Sequence, residues 1–144
     1  MSSLLELYQE TIVEHSQSPR RFGRLESPTC SAKGNNPLCG DKIELDVLLN
    51  ENQIQDVRCT TSGCAISTAA ASIMAEEIFG KTVSQALVTV EKFIEALKTG
   101  DDKFDDSSNL KVFCNVSKFP TRVKCAILPW QTLKKVLEKH WQSN

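Results

Sequence analysis

The run from Lys42 to Thr61, KIELDVLLNENQIQDVRCTT, constrains the fold of this chain more than any other stretch. Ile43, Leu45, Val47 and Leu49 alternate with other residues, Asn50 to Gln53 supply a turn, and Ile54, Val57 and Cys59 resume the pattern. Successive side chains of a strand point to opposite faces, so this spacing predicts an antiparallel hairpin with one buried face. The small-residue run CAISTAAASIMAEEIFG follows at once. It predicts a helix that packs closely against a neighbour and stops at Gly80.

The flanks read as further helices. Leu4, Leu5, Leu7, Tyr8, Ile12 and Val13 suit one helical face that ends before Pro19. A short strand is expected around Thr29 to Lys33. Thr82 and Gln85 carry a capping-box signature for a helix reaching about Leu97. The segment TGDDKFDDSSN, with its four aspartates, reads as a solvated loop. A last helix is expected from about Val123 to Trp141. Because Pro129 removes a helical hydrogen bond, that helix either starts close to Cys125 or kinks at Pro129. The order of elements gives a single α+β domain over residues 1–144.

Charge and hydropathy narrow the function. Seventeen basic against eighteen acidic side chains leave a net charge of -1, which excludes a strongly basic nucleic-acid footprint. No apolar run approaches the roughly 20 residues of a membrane span. The N-terminal stretch lacks the basic start of a secretory signal, so a cytoplasmic location is expected, with neither nucleic acid nor membrane as partner.

Six cysteines (Cys30, Cys39, Cys59, Cys64, Cys114 and Cys125) are many for a reducing compartment, where they point to metal or thiol chemistry. No CxxC pair is present. Cys39 sits in the turn NNPLCGDK, two residues before Asp41. Cys64 and Cys125 fall at the expected starts of helices, where the dipole favours a thiolate. If these three converge, Asp41 adds a fourth donor and the set suits tetrahedral zinc. Their spacing alone is too wide to establish that. Cys59 and Cys114 read as core residues and Cys30 as an incidental loop residue. His15 and His140 end helices, where a histidine cation would complement the dipole.

The segments NNPLCGDK, GCAISTAAASIM and SKFPTRVKCA, in this order, resemble the three signature regions of the U-type iron–sulfur assembly proteins. LYQETIVEHSQSPRRFG resembles the amino-terminal helix of that family. Lys124 stands where the IscU branch has a histidine, and an acidic segment over about 98–116 precedes the last motif; both traits are similar to the SufU branch. The resemblance implies an IscU/NifU-like α+β fold, a small antiparallel sheet of about three strands with four to five helices. It also implies a zinc site of Cys39, Asp41, Cys64 and Cys125, with Arg122 and Lys124 as site support or partner contacts.

The implied activity is that of a zinc-dependent sulfurtransferase. Cys39 would accept persulfide sulfur from a pyridoxal-phosphate cysteine desulfurase of the SufS type. A histidine of the desulfurase would take the place of Cys39 on zinc, and the sulfur would pass to a downstream SUF-type scaffold. The alternative is a scaffold that assembles a [2Fe–2S] cluster on the same ligands. Lys124 argues against it, because an ammonium group is a poor cluster ligand.

Overall fold

The computed structural model describes residues 3–37, 40–100, 104 and 108–142. Helix α1 (Ser3–Gln17) leads into an irregular segment, then strands β1 (Cys30–Asn36), β2 (Asp41–Asn50) and β3 (Gln53–Ser62). Helices α2 (Ala65–Ile78), α3 (Val83–Thr99), α4 (Asn109–Phe113) and α5 (Pro120–Gln142) follow, with a 3-10 turn over Cys114–Lys118 before α5. Among the described residues this gives three antiparallel strands and five α-helices, within the expected α+β arrangement of about three strands and four to five helices.

The expected hairpin is β2–β3, with Leu45 opposite Cys59 and Val47 opposite Val57. The turn is closed by the pair Asn50 and Gln53, with Glu51 at φ 58°. A register shift between Leu48 and Leu49 ends the clean alternation. Ile43, Leu45, Val47, Ile54 and Val57 are buried in a core shared with α2, α3 and α5. In α2 the alanines at 69, 70, 71 and 75 are all buried, which lets this helix lie closely between α1 and α5. Phe93 of α3 packs on Trp130 of α5, ring centroids 4.6 Å apart, at the centre of the helical layer. The capping box of α3 is complete: Gln85 N–H donates to Thr82 Oγ1 at 3.1 Å, and Thr82 N–H to Gln85 Oε1 at 3.0 Å.

The two edges of the sheet are treated differently. Past α1, the chain at Arg21 to Gly23 runs along β3: Cys59 N–H donates to the Arg21 carbonyl at 3.1 Å and Gly23 N–H to the Cys59 carbonyl at 2.9 Å. Arg21 is fastened there by Asp56 at 2.6 Å and lies over the Phe79 ring at 3.8 Å. Next along this segment, Arg24 donates twice to the fully buried Asp46 at 2.8 and 3.0 Å, and Ser31 Oγ and Leu25 N–H add bonds of 2.6 and 2.9 Å. The outer face of β2 is thereby covered at Asp46 by polar groups, so the hairpin buries more than the one face expected. Its carboxyl is pulled down to about 2, chiefly by the Arg24 bonds.

Three expectations need correction. The last helix begins at Pro120 and runs through Pro129, so Cys125 lies in its second turn rather than at its start. Proline suits a first helical position, where its missing N–H would have no helical partner anyway. At position 129 it cannot close the bond back to Cys125, leaving a gap in the helical ladder at that residue. The expected face of α1 is only partly right, since Ile12 is buried but Val13 is 50% exposed. His15 is no surface cation: it is 3% exposed, and its Nδ1 lies 2.7 Å from Ser72 Oγ. Burial pushes its pKa down, with Arg20 adding to the effect. Most of the acidic stretch at 101–107 lies outside the described residues; Phe104 packs against Phe93 at 6.2 Å.

Candidate metal centre

The mouth of the β1–β2 hairpin begins the site. Asn36 pairs with Asp41 across it, and Gly40, at φ 73°, donates its N–H to the Asn36 carbonyl at 2.8 Å. The turn residues of NNPLCGDK therefore deliver Asp41 to the first position of β2. Its side chain is 0% exposed. A carboxylate so placed needs donors. One is the Cys64 N–H, which meets Asp41 Oδ1 at 2.8 Å.

Cys64 is the N-cap of α2, in extended conformation at φ -79° and ψ 164°. Its own side chain makes no capping bond, so it is left to face Asp41. The Cys64 thiol approaches Asp41 Oδ2 at 3.6 Å and Ser67 Oγ at 3.8 Å. Ser67 is buried and donates to the Cys64 carbonyl at 3.1 Å, which fixes the first turn around the thiol.

Cys125 comes from the third element. It is 0% exposed, and its sulfur, the Cys64 sulfur and an Asp41 oxygen all lie within 4.8 Å of one another. Among the described residues this is the one cluster of three or more His, Cys, Asp or Glu side chains with metal-ligand spacing. Two sulfurs each about 2.3 Å from a tetrahedral zinc ion would stand roughly 3.8 Å apart, so the donor set can close on a metal with small side-chain movements. Cys39, the fourth expected ligand and the expected nucleophile, lies outside the described residues.

Gly63 sets the closeness of β3 to β2 at this point. With φ at 151°, it has a conformation that side-chain-bearing residues rarely adopt, and a Cβ built on it would stand 2.2 Å from Asp41 Oδ1 and 2.8 Å from Asp41 Cα. The sequence reading missed both Gly63 and Ser67. Nothing local marks Ser67, because a capping box needs Ser or Thr at the N-cap and Glu or Gln three residues on, and here those positions are Cys64 and Ser67. The glycine's role shows only once β2 and β3 are paired.

The remaining candidates separate cleanly. Arg122 is exposed and borders a depression with Cys64, Ile66 and Phe119; Lys124, also exposed, faces the other side of α5 toward Asn35 and Pro37. Cys59 and Cys114 are buried in the core as expected, and burial pushes the Cys59 thiol up to about 12. Cys30 is half-buried and its thiol is also pushed up by burial.

Comparison with known proteins accords with this arrangement. The model of the NifU-like N terminal domain matches residues 7–126. The chain belongs to this family. It is 36% identical, over 99% of its length and 97% of the relative's, to a protein of Bacillus subtilis named zinc-dependent sulfurtransferase SufU. It is 33% identical, over 96% of its length and 87% of the relative's, to a protein of Streptococcus pyogenes named iron–sulfur cluster assembly scaffold protein IscU. Among solved structures, a candidate SUF-system scaffold of Fervidobacterium islandicum superposes with a TM-score of 0.82 at 35% identity, covering 94% of this chain and 99% of that one. A NifU-like N-terminal domain of Brucella abortus shares the fold, with a TM-score of 0.85 at 19% identity. Among the described residues no helix is long and apolar enough to cross a membrane.

Proposed function

We propose that this chain, acting as one unit over residues 1–144, is a zinc-dependent sulfur acceptor in iron–sulfur cluster assembly. It would take persulfide sulfur from a pyridoxal-phosphate cysteine desulfurase and pass it to a downstream scaffold. The observation that carries the reading is the meeting of Asp41, Cys64 and Cys125 ligand atoms within 4.8 Å, beside the hairpin loop to which Cys39 belongs. Two thiols and one carboxylate, completed by Cys39, are a donor set that suits zinc. Zinc bound there would hold the thiols as thiolates at neutral pH without redox chemistry of its own.

The chain's own residues do the rest. Gly40 alone separates Cys39 from Asp41, so the nucleophile belongs to a four-residue loop while the other three donors sit on β2, α2 and α5. The Cys39 thiolate attacks the terminal sulfur of the donor persulfide. The sulfur–sulfur bond of the donor breaks, a new one forms on Cys39, and the donor cysteine leaves as a thiolate, with no net oxidation. Asp41, a harder donor than sulfur, keeps the set exchangeable. Exposed Arg122 and Lys124 offset the negative charge of the ligands and meet the partner.

The second reading, a scaffold for a [2Fe–2S] cluster on the same ligands, draws support from the name of the streptococcal relative. Lys124, in the place of a ligating histidine, opposes it. Incubation with desulfurase and cysteine, followed by alkylation and peptide mapping, separates the assignments of sulfur. The proposal expects the added sulfur on Cys39 and none accepted by Cys39→Ser. Undiminished acceptance by that variant would contradict it.

A further inference from the structure

A trough runs between the β1 edge of the sheet and α5. Its larger part has a volume of about 650 Å³ and its smaller part about 370 Å³, and the two share Asn35, Leu128 and Gln131. Five lysines border it: Lys33 and Lys42 from the strands, Lys98 from α3, and Lys124 and Lys135 from α5. All five are exposed. Against them, the described residues of the lining offer a single carboxylate, Glu44, which is shared between Arg24 and Lys33, the latter at 4.0 Å. A chain of net charge -1 has thus collected a strongly positive lining in one place.

The shape of the trough is set by local geometry. Lys124, Leu128, Gln131 and Lys135 follow the i, i+4, i+7, i+11 spacing of one helical face. The helix can lie close to β1 because Gly34 has no side chain: a Cβ there would stand 2.2 Å from Thr132 Oγ1. From Lys124 to Lys135 the helix rises about 16 Å, the reach of roughly five extended residues and too long for one small anion. Lys33 alone would be the ordinary guard of an edge strand. The lysines from β2, α3 and α5 are not on that edge, and edge protection does not account for them. The contrast with β3 is informative, since that edge is covered by Arg21 to Gly23 whereas β1 pairs only with β2 among the described residues.

We infer that this trough is a docking groove for an extended acidic segment of a partner protein, whose carboxylates meet the lysines while its apolar residues lie over Leu128 and Ile127. The groove ends at Asn36 and Pro37, the last strand residue and the first loop residue of the hairpin, so a segment lying there would bring its protein beside the candidate metal centre. The inference stands on charge and shape and holds whether or not sulfur transfer is the activity.

The test uses the full chain, isotopically labelled, titrated with an eight-residue peptide of alternating Glu and Val at low and at moderate salt. Expected are saturable amide shifts at Lys33 to Asn35 and along 124–135, with affinity falling as salt rises. The double variant K33E/K135E should bind about tenfold more weakly, whereas Lys118→Glu, outside the lining, should bind as the parent does. Three results would each overturn the inference: shifts centred elsewhere, displacement of the peptide by inorganic phosphate at equal concentration, or preferential binding of an oligouridylate over the peptide.

Discussion

Gly63 and Asp41 define the site at the scale of single residues. A methyl group on Gly63 has no room, because the Asp41 backbone and carboxylate occupy that space, and the backbone at φ 151° is itself unfavourable for alanine. Gly63→Ala is expected to cost about 1–3 kcal/mol of stability and to weaken metal binding together with it, as read by thermal unfolding and by competition with a zinc chelator. Asp41→Asn separates charge from shape. An amide oxygen can still accept the Cys64 N–H, so the fold should survive with a loss under about 1 kcal/mol, while zinc affinity falls. Asp41→Ala leaves that part-buried N–H without its acceptor and should cost about 1–3 kcal/mol as well as zinc affinity. Equal zinc affinity in Asp41→Asn and the parent would remove Asp41 from the ligand set.

At the scale of elements, the seam between α1 and α2 carries a pH dependence. His15 is buried against Ser72, and the groups around it are Glu14 and Arg20 from its own side and Glu76 from α2, whose Oε1 is 3.9 Å from His15 Nε2. Burial lowers the folded-state pKa below the ordinary value of 6.5, so the unfolded chain takes up the proton first. Stability contributed by neutral His15 is therefore full above pH 6.5 and is lost as pH falls below it. His15→Gln should flatten the unfolding profile below pH 6.5. A variant profile with the same slope as the parent would place the dependence elsewhere. The lowered Asp46 carboxyl acts in a separate window below pH 3.8, where its stabilising bonds to Arg24 are lost.

The same elements show what a sequence can and cannot reveal. The β2–β3 pairing was legible because alternation is a property of one strand, and the α3 cap because both its partners lie three residues apart. Asp46 and His15 were not, because the groups that bury them, Arg24 and Ser72, are 22 and 57 residues away. α4 and the 3-10 turn are too short to carry a period. Cys125 was misplaced because the last helix was expected to start only at about Val123, when Pro120 is the start. For the site, the residue types could be named from NNPLCGDK, GCAIS and RVKCA. That Asp41, Cys64 and Cys125 meet follows from the packing of α2 and α5 over the sheet, which no local spacing encodes.

For the whole molecule, the candidate metal centre joins β2, α2 and α5, and none of its three described ligands belongs to the aromatic packing of Phe93, Phe113 and Trp130. The core should hold the fold without metal. Chelation is expected to leave a cooperative transition, and zinc at about a hundred times its Kd should stabilise by about 2.7 kcal/mol, or roughly 5–10 °C in Tm. Loss of the folded state on chelation would instead make the centre a structural module. The central claim, sulfur acceptance on a zinc-bearing site, is tested most directly by an anaerobic native mass spectrum after incubation with desulfurase, cysteine and ferrous iron. The account predicts one zinc retained and one added sulfur that maps to Cys39. Two irons and two sulfides in place of zinc would contradict it and make the protein a cluster scaffold.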